Sequence, residues 1–125
     1  LLTHHGRKTG KLYNTVVEVV RRDRPSGTYY IASGWGEKAN WLRNIEANPD
    51  VTISAGGRRF PARAVRLPTD EAEKELSAYA RRHPIAARVL GRLLLGKNEG
   101  KGGRDFEALA RRLPVVAIAR ATASD

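Results

Sequence analysis

Apolar and polar positions alternate over the first half of this chain and then change to a helical spacing. Leu1 to His5 reads as a short strand, ended by the turn Gly6-Arg7-Lys8-Thr9-Gly10. From Leu12 to Val20 the alternation resumes, with Tyr13, Thr15, Val17 and Val19 on one side and Val16, Glu18 and Val20 on the other. β-Branched residues dominate there, which favours a strand and makes the two segments a hairpin. Asp23-Arg24-Pro25-Ser26-Gly27 is a second turn, and Thr28 to Ala32 is the strand it feeds. Asn40 to Ala47 has Trp41, Leu42 and Ile45 at helical spacing, with Asn40 as N-cap and Asn48-Pro49 as the stop. Asp50 to Ala55 and Arg58 to Leu67 form a hairpin around Gly56-Gly57, and Pro61 predicts that the second is an edge strand or carries a bulge.

Beyond Leu67 the period becomes helical. Pro68-Thr69-Asp70 opens a helix with Asp70 and Glu73 in a capping-box arrangement and Ala72, Leu76, Tyr79 and Ala80 as its apolar face. Pro84 starts another, with Ala86, Val89, Leu90 and Leu93 on one face and Arg88 and Arg92 opposite. Gly100 to Gly103 reads as a basic loop, Asp105 to Arg112 as a short helix, and Val115 to Ala119 as a last buried strand. About six strands with tight hairpins, a helical insertion and a closing strand predict a mainly β (α+β) domain. The expected architecture is one antiparallel β-barrel with peripheral helices over residues 1–125.

At 125 residues the chain buries a real core without staples. Cysteine is absent, which removes disulfides and thiolate chemistry and ties nothing to an oxidising compartment; we read the protein as cytoplasmic. The chain opens at Leu1-Leu2 inside a strand-like segment and without a methionine, so we expect further sequence before it. The net charge of +10 and a pI near 10.7 call for polyanionic partners: nucleic acid, an anionic membrane surface met peripherally, or a phosphorylated or multi-carboxylate small molecule.

Hydrolytic machinery is missing. His4 and His5 point to opposite faces of one strand and do not chelate a metal together, and His83 stands apart. The carboxylates Asp70, Glu71, Glu73 and Glu75 crowd a helix start, where they complement its dipole. An enzyme built on this chain therefore takes its reactivity from a cofactor. Anion-binding candidates are better supplied. Arg7 and Lys8 sit between two glycines beside Thr9, and Ser33-Gly34-Trp35-Gly36 is a glycine turn between a strand and a helix. The later basic run, from Arg81 to Arg104, lacks the interleaved aromatics and the helix-turn-helix pattern of a nucleic-acid reader.

Leu2-Thr3-His4-His5-Gly6-Arg7-Lys8-Thr9-Gly10, then Ala32-Ser33-Gly34, then Asn40-Trp41-Leu42-Arg43-Asn44-Ile45-Glu46-Ala47-Asn48-Pro49 together resemble the deazaflavin-dependent nitroreductase family. The resemblance runs through most of the chain in order. It implies a split β-barrel of the FMN-binding, pyridoxamine-phosphate-oxidase-like type. It also implies coenzyme F420 as cofactor, with FMN as the lesser alternative, and hydride transfer to a quinone, enone or nitro compound. The positions it assigns to the coenzyme are Arg7, Lys8 and Thr9; Asn14 and Thr15; Ala32, Ser33 and Gly34; and Asn40, Trp41, Arg43 and Asn44. No catalytic residue follows from it, and the hydroxyls considered for proton donation are Tyr29, Tyr30, Tyr79 and Ser33. The chain departs from the family pattern at Gly34, where a lysine often stands, and at Tyr13, where an arginine does. Lys38 and Arg43 are the candidate replacements. The competing function is a non-catalytic barrel that holds a fatty acid or similar amphiphile, with Arg7 and Lys8 on its head group.

Overall fold

The alternating run that begins at Leu12 does not stay in one strand. The computed structural model describes residues 1–17, 19–33, 39–87 and 113–121. In chain order these form β1 (Leu2–His5), β2 (Leu12–Thr15), β3 (Val19–Asp23), β4 (Thr28–Ala32), α1 (Asn40–Ala47), β5 (Asp50–Ala55), β6 (Arg58–Arg66), α2 (Thr69–Arg82) and β7 (Val115–Arg120). All strand pairs are antiparallel and the sheet order is β2-β1-β5-β6-β7-β4-β3. There are seven strands where the sequence predicts about six, because the alternating run from Leu12 to Val20 covers β2 and the start of β3.

That division shapes the sheet. In a flat seven-stranded sheet, six spacings of roughly 4.8 Å would hold the two edges about 29 Å apart. The edges here are β2 and β3, and the four residue steps from Thr15 to Val19 span at most about 14 Å. The sheet must therefore curl until its edges approach, as in a barrel. Among the described residues β2 and β3 do not pair, so the curl stays open. Alternation survives the crossing: Val17 packs against the interior, and Val20, at an irregularity in the β3–β4 register, is buried on the outside.

Two cores follow from the curl. The interior holds Leu2, Ile31, Val51, Ile53, Ala62, Ala64, Val116 and Ile118 from five strands, and α1 plugs it with Trp41, Leu42 and Ile45. The outer core lies under α2, where Ala72 and Leu76 meet Val20, Leu113 and Val115, and Tyr79 and Ala80 flank them. Arg21 ties the same helix down, its Nε donating to both carboxylate oxygens of Glu75 at 3.1 and 2.8 Å.

Pro61 corrects one expectation. β6 is an internal strand between β5 and β7, not an edge, and the β5–β6 register runs without interruption. Residues of an antiparallel strand point N–H and C=O to the same side. The Pro61 carbonyl accepts the Ala121 amide at 3.0 Å, so its ring nitrogen also faces β7, beyond that strand's last residue. No bond to β5 is lost. The capping expectations fail as well: Ala39 and Pro68 precede the two helices, and neither helix has a side-chain cap. The helical start at Pro84 continues to Ala87, whose amide bonds the His83 carbonyl. The elements expected from Arg88 to Arg112, and Gly34 to Lys38, lie outside the described residues.

The β5–β6 turn places both glycines at positive φ, 57° at Gly56 and 78° at Gly57. A Cβ at Gly57 meets no neighbour, so the cost of Gly57→Ala is purely conformational. We expect a loss of about 1 kcal/mol in urea unfolding, with an unchanged denaturant slope.

Candidate functional site

The Gly-Arg-Lys-Thr-Gly turn is built by its two glycines. The Gly6 amide donates to the Lys11 carbonyl at 2.7 Å, and the Gly10 amide donates to the Gly6 carbonyl at 2.8 Å. Gly10 takes a φ of 77°, open to glycine without strain. A Cβ on Gly6 would lie 2.8 Å from Cε2 of Tyr13, so the ring of Tyr13 rests directly on that glycine. Arg7, Lys8 and Thr9 are thereby presented at the tip, where Thr9 accepts the Lys11 amide at 3.3 Å. Lys8 has no partner among the described residues.

The tip overhangs a cleft of about 410 Å³. One wall is the turn, with Gly6, Arg7, Lys8 and Thr9, and a second is β2, with Tyr13, Asn14 and Thr15. The third is the start of α1, with Asn40, Trp41 and Asn44, and His4 lies at the base. Helix α1 begins here without a side-chain cap and without an acidic residue in its first turn. Its first amides and the positive end of its dipole are left for a ligand. A helix start, a guanidinium and an ammonium converge on one space, which is the donor set of an anion site.

Buried polar groups hold this geometry. Asn44 is 4 % exposed and receives Arg7 twice on Oδ1, from the backbone amide at 3.1 Å and from Nη1 at 2.8 Å. Asn40, the first helical residue after the N-cap position held by Ala39, adds a longer contact to Arg7 Nη2 at 3.4 Å. The Asn44 Nδ2 group lies 3.1 Å from Nδ1 of His4, whose Nε2 lies 2.9 Å from the Thr15 hydroxyl. Thr3 donates to Asn14 Oδ1 at 2.6 Å, which leaves the Asn14 amide nitrogen to act as a donor. Burial, with a smaller contribution from the neighbouring His5, holds the pKa of His4 below the ordinary histidine value.

Eight of the twelve positions assigned to a coenzyme from sequence line this cleft: Arg7, Lys8, Thr9, Asn14, Thr15, Asn40, Trp41 and Asn44. Arg43 is exposed on α1 and does not line it. Ala32 and Ser33 do not line it either: Ala32 pairs with Val115, and the buried Ser33 donates its amide to the Pro114 carbonyl. Gly34 lies outside the described residues. The hydroxyls considered as proton donors are elsewhere. Tyr29 stacks on Phe60 in the interior, and Tyr30 and Tyr79 flank the outer core. The structure adds His4, Gly6 and Tyr13. The alternation put His4 and His5 on opposite faces of one strand, but nothing in sequence said which of them is buried or tied His4 to Asn44.

The model of the F420H2-dependent quinone reductase family matches residues 1–88, which include every cleft residue. The chain belongs to that family. It is 38% identical over 73 residues to the Mycobacterium tuberculosis protein Rv3178, a proposed F420H2-dependent quinone reductase. That match covers 57% of this chain and 60% of the relative, so it spans less than two thirds of the mycobacterial protein. Among solved structures, an F420H2-dependent reductase (FDR-A) superposes with a TM-score of 0.62 at 20% identity. It covers 94% of this chain and 90% of that one. A chain described as a domain-swapped dimer superposes equally well, at 0.62 and 20%, over 94% of this chain and 76% of that one. At such identity these two likenesses speak for the split-barrel fold alone. Among the described residues, no helix is long and apolar enough to cross a membrane, and no cluster of His, Asp or Glu is arranged to hold a metal ion.

Proposed function

We propose that this chain binds coenzyme F420 in the cleft and passes a hydride from its reduced form to a quinone-type acceptor. The observation that carries the reading is the convergence of Arg7, Lys8 and the uncapped start of α1 on one space. The residues fit the group. F420 joins a flat tricyclic ring to a phosphate and a carboxylate-rich tail. Arg7, Lys8 and the turn's backbone supply donors for the anionic part, and a +10 chain favours it at long range. Trp41 and Tyr13 offer aromatic surface in the same cleft for a ring. When bound, the coenzyme supplies the hydride; the protein contributes orientation and a fixed array of donors. Thr9, Tyr13 and Thr15 are the hydroxyls that line the cleft, and they replace Tyr29, Tyr30, Tyr79 and Ser33 as groups able to meet an acceptor oxygen.

Titration of the purified chain with F420, followed by tryptophan quenching, tests the reading. Saturable quenching at micromolar coenzyme is expected, because Trp41 lies in the cleft wall. A flat response to F420, or a yellow protein already carrying FMN, overturns it.

A further inference from the structure

The hydrogen bonds at the base of the cleft have only one consistent direction. Arg7 presents two donors to Asn44 Oδ1, so the amide cannot turn without setting its NH2 group against a guanidinium and a backbone N–H. The Nδ2 group therefore donates to Nδ1 of His4 at 3.1 Å, and that ring nitrogen must be an acceptor. The His4 proton then resides on Nε2 and is donated to Thr15 Oγ1 at 2.9 Å. Thr15 has accepted, and its own hydroxyl hydrogen still needs an acceptor. Among the described residues it makes no second side-chain hydrogen bond, and it lines the cleft.

We propose that His4 is a positioning residue: neutral and protonated on Nε2, it turns the Thr15 hydroxyl into a donor for a ligand oxygen and keeps Arg7 locked to α1 through Asn44. The ligand half of this statement rests on the reading of the cleft as the coenzyme site. The class of group recognised is a hydrogen-bond acceptor, a carbonyl or anionic oxygen, and not an N–H edge.

The arrangement also makes the site sensitive to acid. His4 is 2 % exposed. The charged or titratable groups around it are His5 on its own strand, Tyr13 across on β2 with its ring 6.1 Å away, and Arg7 behind Asn44. A second proton on the His4 ring would set Nδ1–H against the Asn44 NH2 group. Turning that amide relieves His4 only by opposing Arg7, so one proton loosens both contacts. His4 titrates below its ordinary value of 6.5 in the folded chain, so the unfolded chain binds more protons just below that pH. Stability is retained above about pH 6.5 and falls as the pH drops toward the depressed folded value.

Long-range nitrogen–proton NMR of the intact chain without coenzyme tests the assignment. The expected result is an Nε2–H tautomer for His4, a titration midpoint below the ordinary histidine value, and a midpoint raised in Asn44→Asp, which sets a carboxylate oxygen against Nδ1. An Nδ1–H tautomer in the unsubstituted protein overturns the proposal without reference to how Asn44→Asp folds. For the ligand half, Thr15→Val is expected to weaken F420 binding about tenfold and Thr15→Ser to restore it. Binding by Thr15→Val at the parent's strength overturns that half. Absence of F420 binding in the parent defeats the coenzyme reading, while the NMR result still decides the role of His4.

Discussion

The doubly substituted protein Arg7→Ala/Lys8→Ala will bind F420 at least roughly 100-fold more weakly than the parent, because each lost charge-assisted contact is worth about 1.5 to 3 kcal/mol. Titration under the conditions used for the parent measures it. The two side chains are expected to differ when replaced singly. Arg7 is held by two donations to a buried asparagine and arrives preorganised, whereas Lys8 has no partner among the described residues and must be ordered on binding. Arg7→Ala should therefore account for the larger share. The fold should tolerate it, since the Arg7 backbone amide still reaches Asn44 Oδ1. An unchanged melting temperature with lost affinity identifies a ligand contact. Unchanged affinity would remove the turn from the site.

Leu42→Ala will destabilise the chain by about 2 to 5 kcal/mol, the range for a leucine removed from a packed core. Leu42 is fully buried, on the face of α1 that plugs the curled sheet. Such a loss is a large part of the roughly 5 to 15 kcal/mol that holds a domain together. In a chain of this size it corresponds to a fall in melting temperature of about 6 to 20 °C. The consequence reaches the cleft, because the same eight-residue helix carries Asn40, Trp41 and Asn44. Leu12→Ala on the exposed edge strand is the control; its side chain is 58 % exposed, and its effect should stay within about 0.5 kcal/mol. Equal effects of the two substitutions would mean that α1 is not the plug the structure describes.

Much of the strand and helix content could be read directly. The hairpin at Gly56-Gly57, the turn from Asp23 to Gly27 and the helix ending at Asn48 are local. Their dihedral and hydrogen-bonding demands are met by residues within a few positions of one another. The errors have non-local causes. Leu12 to Val20 alternates without a break, and nothing in that period says that its two halves pair with β1 and β4 on opposite edges. Pro61 reads as an edge residue until β7 is seen to end beside it. Asn40 is a sound N-cap by type, but Ala39 holds that position, and the Asn40 carboxamide faces an arginine 33 positions earlier.

The site divides along the same line. Sequence by itself determined the chemistry available: two cations in a glycine-bounded turn, a glycine turn leading into a helix, no thiol, and an overall charge of +10. These are properties of residue type and short spacing, and they were enough to indicate a polyanionic partner; the coenzyme itself came from the family resemblance of the longer motifs. Only the tertiary structure decided which of those groups share a space. It placed Ala32 and Ser33 beside the last strand, away from the cleft, and it brought His4 and Arg7 to the two faces of one asparagine. That buried amide decides which ring nitrogen of His4 carries its proton and which way the Thr15 hydroxyl points. The direction of a hydrogen-bond chain depends on groups up to 40 residues apart in sequence, and only the curl of the sheet around α1 brings them within 3 Å or so of one another.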